Sequence, residues 1–154
     1  MPLKHNGVNH LIKNQSIDVL GLLETKLNQE KLSWILRRKF QGWACVSNFD
    51  VHAAGRILVL WNPHKVSIEP TEINAQAIHC KATCKVSQHS VCLSFIYGFH
   101  SIISRRPLWN NIREMGSGYQ EPWLVLGDFN SVLQDGERCR AFRYPGYGVF
   151  FHMV

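Results

Sequence analysis

Hydrophobic and polar positions alternate along this chain in two different periods, and the switches between them lay out its elements. Leu3, Val8, Leu11 and Ile12 stand among polar residues at helical spacing, which predicts a first helix over Met1 to Gln15, ended at Ser16. Ile17 to Leu23 is a short, nearly unbroken apolar run and predicts a buried strand. Asn28 is a suitable N-cap for a helix through about Lys39, with Leu32, Ile35 and Leu36 on one face and Trp34 alongside. After Gly42, Trp43 to Val46 predicts another short strand.

Gly55 to Trp61 is the next apolar run, closed by Asn62-Pro63, where the proline cannot pair. Val66 to Glu69 reads as a short edge. Ile78, Cys80, Ala82, Cys84 and Val86 alternate with polar residues, the pattern of a half-buried strand. Ser87-Gln88-His89 turns the chain, and Ser90 to Tyr97 returns, so the two runs predict a hairpin. Ser104 is placed to cap a helix over about Arg105 to Met115, and Gly116-Ser117-Gly118 reads as a loop. Trp123 to Leu126 predicts a strand buried on both faces. About seven short strands and three helices, the helices in the long connections, make an α/β layered arrangement. From Ala141 to Val154 no period can be assigned.

Length and composition narrow this only a little. The 154 residues suffice for one domain with a real core, and 45% apolar against 18% charged residues is ordinary for a globular protein. The formal charge of +6 favours a polyanionic partner such as nucleic acid. Only Arg37-Arg38-Lys39 and Arg105-Arg106 cluster, and each reads as a solvated helix face. Five cysteines with no Cys-x-x-Cys pair, no apolar run near about 18 residues and a polar start predict a reduced, intracellular chain, nuclear or cytoplasmic, with no membrane contact.

Candidate chemistry sits where apolar runs stop. Glu24 follows one run and Asp128 another, and two carboxylates at neighbouring strand ends suit Mg²⁺, which takes one or two carboxylates plus phosphate oxygens. In extended backbone Asn130 would project beside Asp128, placing an amide donor next to a carboxylate that orients water. Tyr97, before Gly98, adds a phenolic hydrogen bond. His79, Cys80, Cys84, His89 and Cys92 form a competing set, but their spacing does not match closely paired zinc ligands, and strand burial accounts for Cys80 and Cys84.

The segments Ile17 to Lys26, Gly55 to Pro63, Phe95 to Gly98, Arg105 to Trp109 and Trp123 to Leu133, in that order and spacing, resemble the endonuclease/exonuclease/phosphatase superfamily, the DNase-like fold. The resemblance is greatest to the endonuclease domain of plant non-LTR (LINE-type) retrotransposon polyproteins. It covers about residues 1–138. It implies a four-layered α/β sandwich of two packed sheets with a divalent-metal phosphodiester site between them. It also implies Glu24 as the ligand of Mg²⁺ (or Mn²⁺), Tyr97 as a phosphate contact, Asp128 and Asn130 as water-orienting and phosphate-binding residues, and DNA as the substrate, nicked to prime reverse transcription.

The departures shape the expectation as well. Family members begin with a strand carrying a metal-proximal asparagine and end with a Ser-Asp-His sequence, and neither pattern occurs here. The expectation is therefore a partial sandwich lacking the first strand and most of the C-terminal half, a divergent tail over 139–154, and weak or absent nuclease activity for these residues alone. A catalytically dead nucleic-acid binder and a phosphoesterase with another substrate are the alternatives.

Overall fold

The computed structural model describes residues 7–131 apart from 9, 11, 13, 26, 28, 54 and 55, with the backbone alone at 29. The N-cap expected at Asn28, the strand start at Gly55 and the tail over 139–154 lie outside the described residues. The described residues between 7 and 15 are helical, and Ser16 ends them in the left-handed region at φ 51°. The order that follows is β1 (Val19–Leu22), α1 (Gln29–Lys39), β2 (Ala44–Ser47), β3 (Leu58–Trp61), β4 (Val66–Ile73), β5 (Ala77–Cys84), β6 (Ser90–Tyr97), α2 (Ile102–Gly118) and β7 (Trp123–Asp128).

Two sheets result. Sheet I has the order β1-β3-β2, all antiparallel, and sheet II the order β4-β5-β6-β7, antiparallel except for the parallel β6–β7 pair. The parallel pair requires a crossover, which α2 supplies.

Side-chain alternation turns these sheets into four layers. Ile57 and Val59 lead the face of sheet I that meets Leu93, Phe95 and Tyr97 of β6 and Ile78, Cys80 and Ala82 of β5, forming the inner core. Leu58 and Leu60, one residue out of step, pack with Leu32 and Ile35 of α1 on the opposite face. Ala77 and Ile96 meet Leu108 of α2 outside sheet II. The layers thus run α1, sheet I, sheet II, α2, the mixed α/β sandwich that the sequence predicts. Each fully buried Leu or Ile in them stabilises by about 1.5–3 kcal/mol relative to exposure.

Four local expectations fail for physical reasons. β5 is not half-buried, because its polar face lies under α2, where His79 and Ser94 are fully buried in hydrogen bonds. β7 is not covered on both faces, since Leu124 is 42% exposed. Helix α2 begins earlier and ends later than its sequence suggests. Its N-cap is Ser101, whose hydroxyl accepts from Ser104 N–H, and it continues through Gly116-Ser117-Gly118. A Cβ at Gly116 would meet the Trp123 ring, so the glycine admits an aromatic contact that outweighs its poor helix propensity. The edge strand β4 runs on to Ile73, with its irregularity between Pro70 and Glu72, where a missing N–H is tolerated. Arg105 also departs from a solvated helix face. It is 6% exposed, whereas Arg37, Arg38, Lys39 and Arg106 are exposed as expected.

Candidate functional site

One end of the sandwich gathers the strand termini that carry polar side chains. β1 finishes before Glu24, and its antiparallel partner β3 therefore begins at the same end, just after Arg56. The parallel strands β6 and β7 finish together in register, Tyr97 opposite Asp128. The chain is held there by small devices. A Cβ at Gly127 (φ 143°) would overlap the Ile96 carbonyl oxygen, so only glycine lets β7 close on β6 at this point. A Cβ at Gly98 would likewise strike the Phe129 carbonyl, while the Gly98 N–H donates to the Asp128 carbonyl at 2.8 Å.

Asp128 and Asn130 are neighbours, though not through the extended backbone expected for them. Asn130 takes φ 48°, and its N–H donates to Asp128 Oδ1 at 2.8 Å, a tight turn closed by the carboxylate. The Asn130 carboxamide donates through Nδ2 to the Gly98 carbonyl at 2.6 Å. One of its two N–H groups is thereby used and the second remains. Glu24 stands exposed at φ 54°. The next residue, Thr25, ties it to the other side, donating its N–H and its hydroxyl to the Arg56 carbonyl at 3.2 and 3.4 Å.

Tyr97 is where these groups meet. Burial pushes its phenol above the ordinary tyrosine range, and the Glu24 carboxylate pushes it further. The Arg56 guanidinium opposes that, the Asp128 carboxylate adds to it, and the Asn130 carboxamide eases it. The phenol is thus kept as a proton-bearing donor at this end of the sandwich. The four sequence candidates are brought to one place. Arg56 was missed, hidden inside a run taken wholly as strand, although it precedes an apolar run just as Glu24 follows one.

Two further residues shape the end without having been singled out. Asn48, fully buried, accepts Ile57 N–H on Oδ1 at 2.9 Å and donates Nδ2 to the carbonyls of Asn74 and Ala75 at 3.0 and 3.1 Å. It thereby binds the loop beside Arg56 to the β4–β5 turn, whose Gln76 carbonyl accepts Tyr97 N–H at 2.9 Å. Arg105 donates Nη1 to the carbonyls of Phe99 and His100, at 2.7 and 3.2 Å, and its Nε has no hydrogen-bond partner among the described residues. A buried guanidinium held by carbonyls adds positive potential beneath the loop after Tyr97.

The competing Cys/His set is taken up otherwise. Both His79 ring nitrogens are engaged, Nδ1 by Ser94 Oγ at 2.6 Å and Nε2 by Asn111 Oδ1 at 2.7 Å. Cys80 is buried in the inner core, where burial and the nearby Cys92 push its thiol up to about 12. Among the described residues no group of three or more His, Cys, Asp or Glu forms a metal-binding cluster, and no helix is long and apolar enough to cross a membrane.

Comparison with known proteins agrees with this architecture. A model of the Endonuclease/Exonuclease/phosphatase family matches residues 1–152. Among solved structures, D. rerio TDP2 humanized by 14 mutations is 14% identical, with a TM-score of 0.64 over 87% of this chain and 57% of that one. The Bacteroides thetaiotaomicron mannosyl-6-phosphatase Bt3783 is 15% identical, with a TM-score of 0.64 over 83% of this chain and 57% of that one. D. rerio TDP2 complexed with a single-strand DNA product is 14% identical, with a TM-score of 0.57 over 87% of this chain and 55% of that one. The chain therefore spans a little over half the length of these structures. No curated protein matches it in sequence.

Proposed function

Because the chain belongs to the Endonuclease/Exonuclease/phosphatase family, we propose that its strand-end cluster is part of a divalent-metal-dependent phosphodiester hydrolase site whose substrate is DNA. The observation that carries this reading is that strand pairing brings the end of β1 with Glu24, the start of β3 with Arg56, the paired residues Tyr97 and Asp128 and the turn at Asn130 to one end of the sandwich. The segment order supports descent from a non-LTR retroelement endonuclease.

The donor set suits a hard cation. Glu24 and Asp128 both act on one phenol and both reach solvent, and Mg²⁺ prefers one or two carboxylates, keeping waters and substrate oxygens in its remaining positions. Glu24 would hold the ion, and Mn²⁺ is the natural substitute. Such an ion, when bound, polarises the phosphodiester and offsets charge on the leaving oxygen. The chain's own groups act around that. Tyr97 O–H and the second N–H of Asn130 donate to non-bridging phosphate oxygens. The Asp128 carboxylate, one oxygen turned to Asn130 N–H, offers the other to the attacking water and receives its proton. The water oxygen bonds to phosphorus as the P–O bond to the 3′ carbon's oxygen breaks, leaving a 5′ phosphate and a 3′ oxygen that takes a proton from solvent to become the 3′ hydroxyl. Arg56 balances the added negative charge.

These 154 residues contain no Ser-Asp-His sequence, so water activation and transition-state charge stabilisation lose a partner and the expected rate for this chain alone is low. A supercoiled-plasmid nicking assay in Mg²⁺ tests the reading. Slow nicking that falls at least about 100-fold in both Glu24→Ala and Asp128→Ala supports it, on the scale usual for single site groups. Nicking indifferent to both substitutions sinks it. The likeness to a sugar phosphatase favours one second reading, a smaller phosphate ester as substrate. Turnover of p-nitrophenyl phosphate that needs Asp128, without nicking, would select it.

A further inference from the structure

Resting on the phosphodiester reading, we propose that the outward face of α2 is the track on which the DNA strand lies as it leaves the site, with Trp109 stacking one base and Arg106 and Arg113 holding phosphates. The track begins at the site itself. Phe129 stands between Asp128 and Asn130, and its ring lies flat against Trp109, centroids 5.7 Å apart and planes within 4°. Phe129 is anchored below by the cluster of Leu108 and Ile112, so the stack has a fixed base. Trp109 nonetheless remains 38% exposed, unusual for an indole held this firmly. An aromatic surface that is both rigid and open, one residue from a phosphate-binding turn, is what a nucleobase requires for stacking.

Charge follows the same line. Arg106, Trp109 and Arg113 are spaced three and four residues apart and share one stripe of α2. Both arginines are exposed. Arg106 makes no hydrogen bond or ion pair with any described residue, and Arg113 is engaged among them by Asn110 alone, at 3.2 Å. Cations interleaved with an aromatic, running away from Asp128 and Asn130, suit an alternation of phosphates and bases. A packing pair alone would explain the stack but neither the exposure nor the two available guanidinium groups.

The test uses the whole chain and fluorescence anisotropy with a labelled dT 15-mer and a labelled abasic 15-mer, over a range of KCl. Trp109→Ala should weaken dT binding about 5- to 100-fold and leave abasic binding nearly unchanged, because only the former can stack. Arg106→Gln with Arg113→Gln should weaken both probes and lower the slope of log affinity against log salt by about 1.4, two single-strand phosphate contacts at about 0.7 each. Equal loss on both probes for Trp109→Ala, an unchanged salt slope for the double variant, or no dT binding by the parent chain at low salt would each overturn the proposal. Should Trp109→Ala fail to fold by circular dichroism, Trp109→Phe replaces it, and the arginine pair, being exposed, decides independently. The two readings fail separately. Nicking insensitive to Asp128→Ala with stripe-dependent binding sinks the catalytic site alone, and Asp128-dependent nicking with stripe-independent binding sinks the track alone.

Discussion

The two outer seams of the sandwich are built on opposite principles. Between α1 and sheet I, Leu58 and Leu60 meet Leu32, Ile35 and Phe40 in an apolar contact. Between α2 and sheet II the corresponding space holds a chain of hydrogen bonds. Trp123 Nε1 donates to Ser94 Oγ at 2.7 Å, the same hydroxyl lies 2.6 Å from His79 Nδ1, and His79 Nε2 lies 2.7 Å from Asn111 Oδ1. Asn111 passes on to Glu72 at 2.7 Å, whose carboxylate also accepts from Asn74 at 2.9 Å, beside the turn that receives Tyr97 N–H. Apolar burial is strong but indifferent to small slides. A satisfied polar chain fixes one arrangement, and here it fixes the layer that carries Tyr97 and Asp128.

That contrast can be broken from the strongest expected effect downward. Leu60→Ala, at an almost fully buried position of the apolar seam, should cost about 2–5 kcal/mol in a urea melt, with little change in the site's relative geometry. A loss below about 1 kcal/mol would mean that seam is not what holds α1. Alkali probes the inner core between the seams. The Cys80 thiol is raised in the folded chain from 9.0 to about 12, so the folded state keeps a proton that the unfolded chain releases above pH 9. Stability is then full below pH 9 and falls by up to about 4 kcal/mol as pH rises to 12. Cys80→Ala should flatten that decline, and an unaltered slope in the variant would assign it to other groups. His79→Ala should cost about 1–3 kcal/mol, by taking one buried hydrogen bond each from Ser94 and Asn111. The sharper sign is line broadening of the Tyr97 and Phe99 amides in NMR spectra, which Leu60→Ala should not produce. If both variants behave alike, the two seams do not differ in kind.

The same contrast explains what the sequence disclosed. Sheet I, α1, the β5–β6 hairpin and the strand ends were legible because apolar runs and their stops carry them. The burial of His79 on β5 was not, since a histidine between apolar neighbours looks like part of a solvent face unless its partner Asn111 on α2 is known. Arg105 is hidden the same way, sharing a dipeptide with Arg106 but not its environment. Glu24, Tyr97, Asp128 and Asn130 could be picked out because each sits where a strand stops. Their common location, and the help of Arg56 and Asn48, depend on pairings between strands distant in the chain, which periodicity does not encode.

Asn48 carries a consequence for motion. Glu24 and Arg56 belong to sheet I, and Tyr97 and Asp128 to sheet II, so the cluster straddles two bodies. At that end their tie includes the two hydrogen bonds that one carboxamide donates to the Asn74 and Ala75 carbonyls, its third bond staying within sheet I. Beside them Ile57 is fully buried in the core that both sheets share, so parting the carboxylates would also uncover apolar surface, and the two halves are held together by packing as well as by these bonds. Ile57 N–H, closed by Asn48 Oδ1, is the amide whose slow hydrogen exchange would record how firmly that carboxamide is held in place.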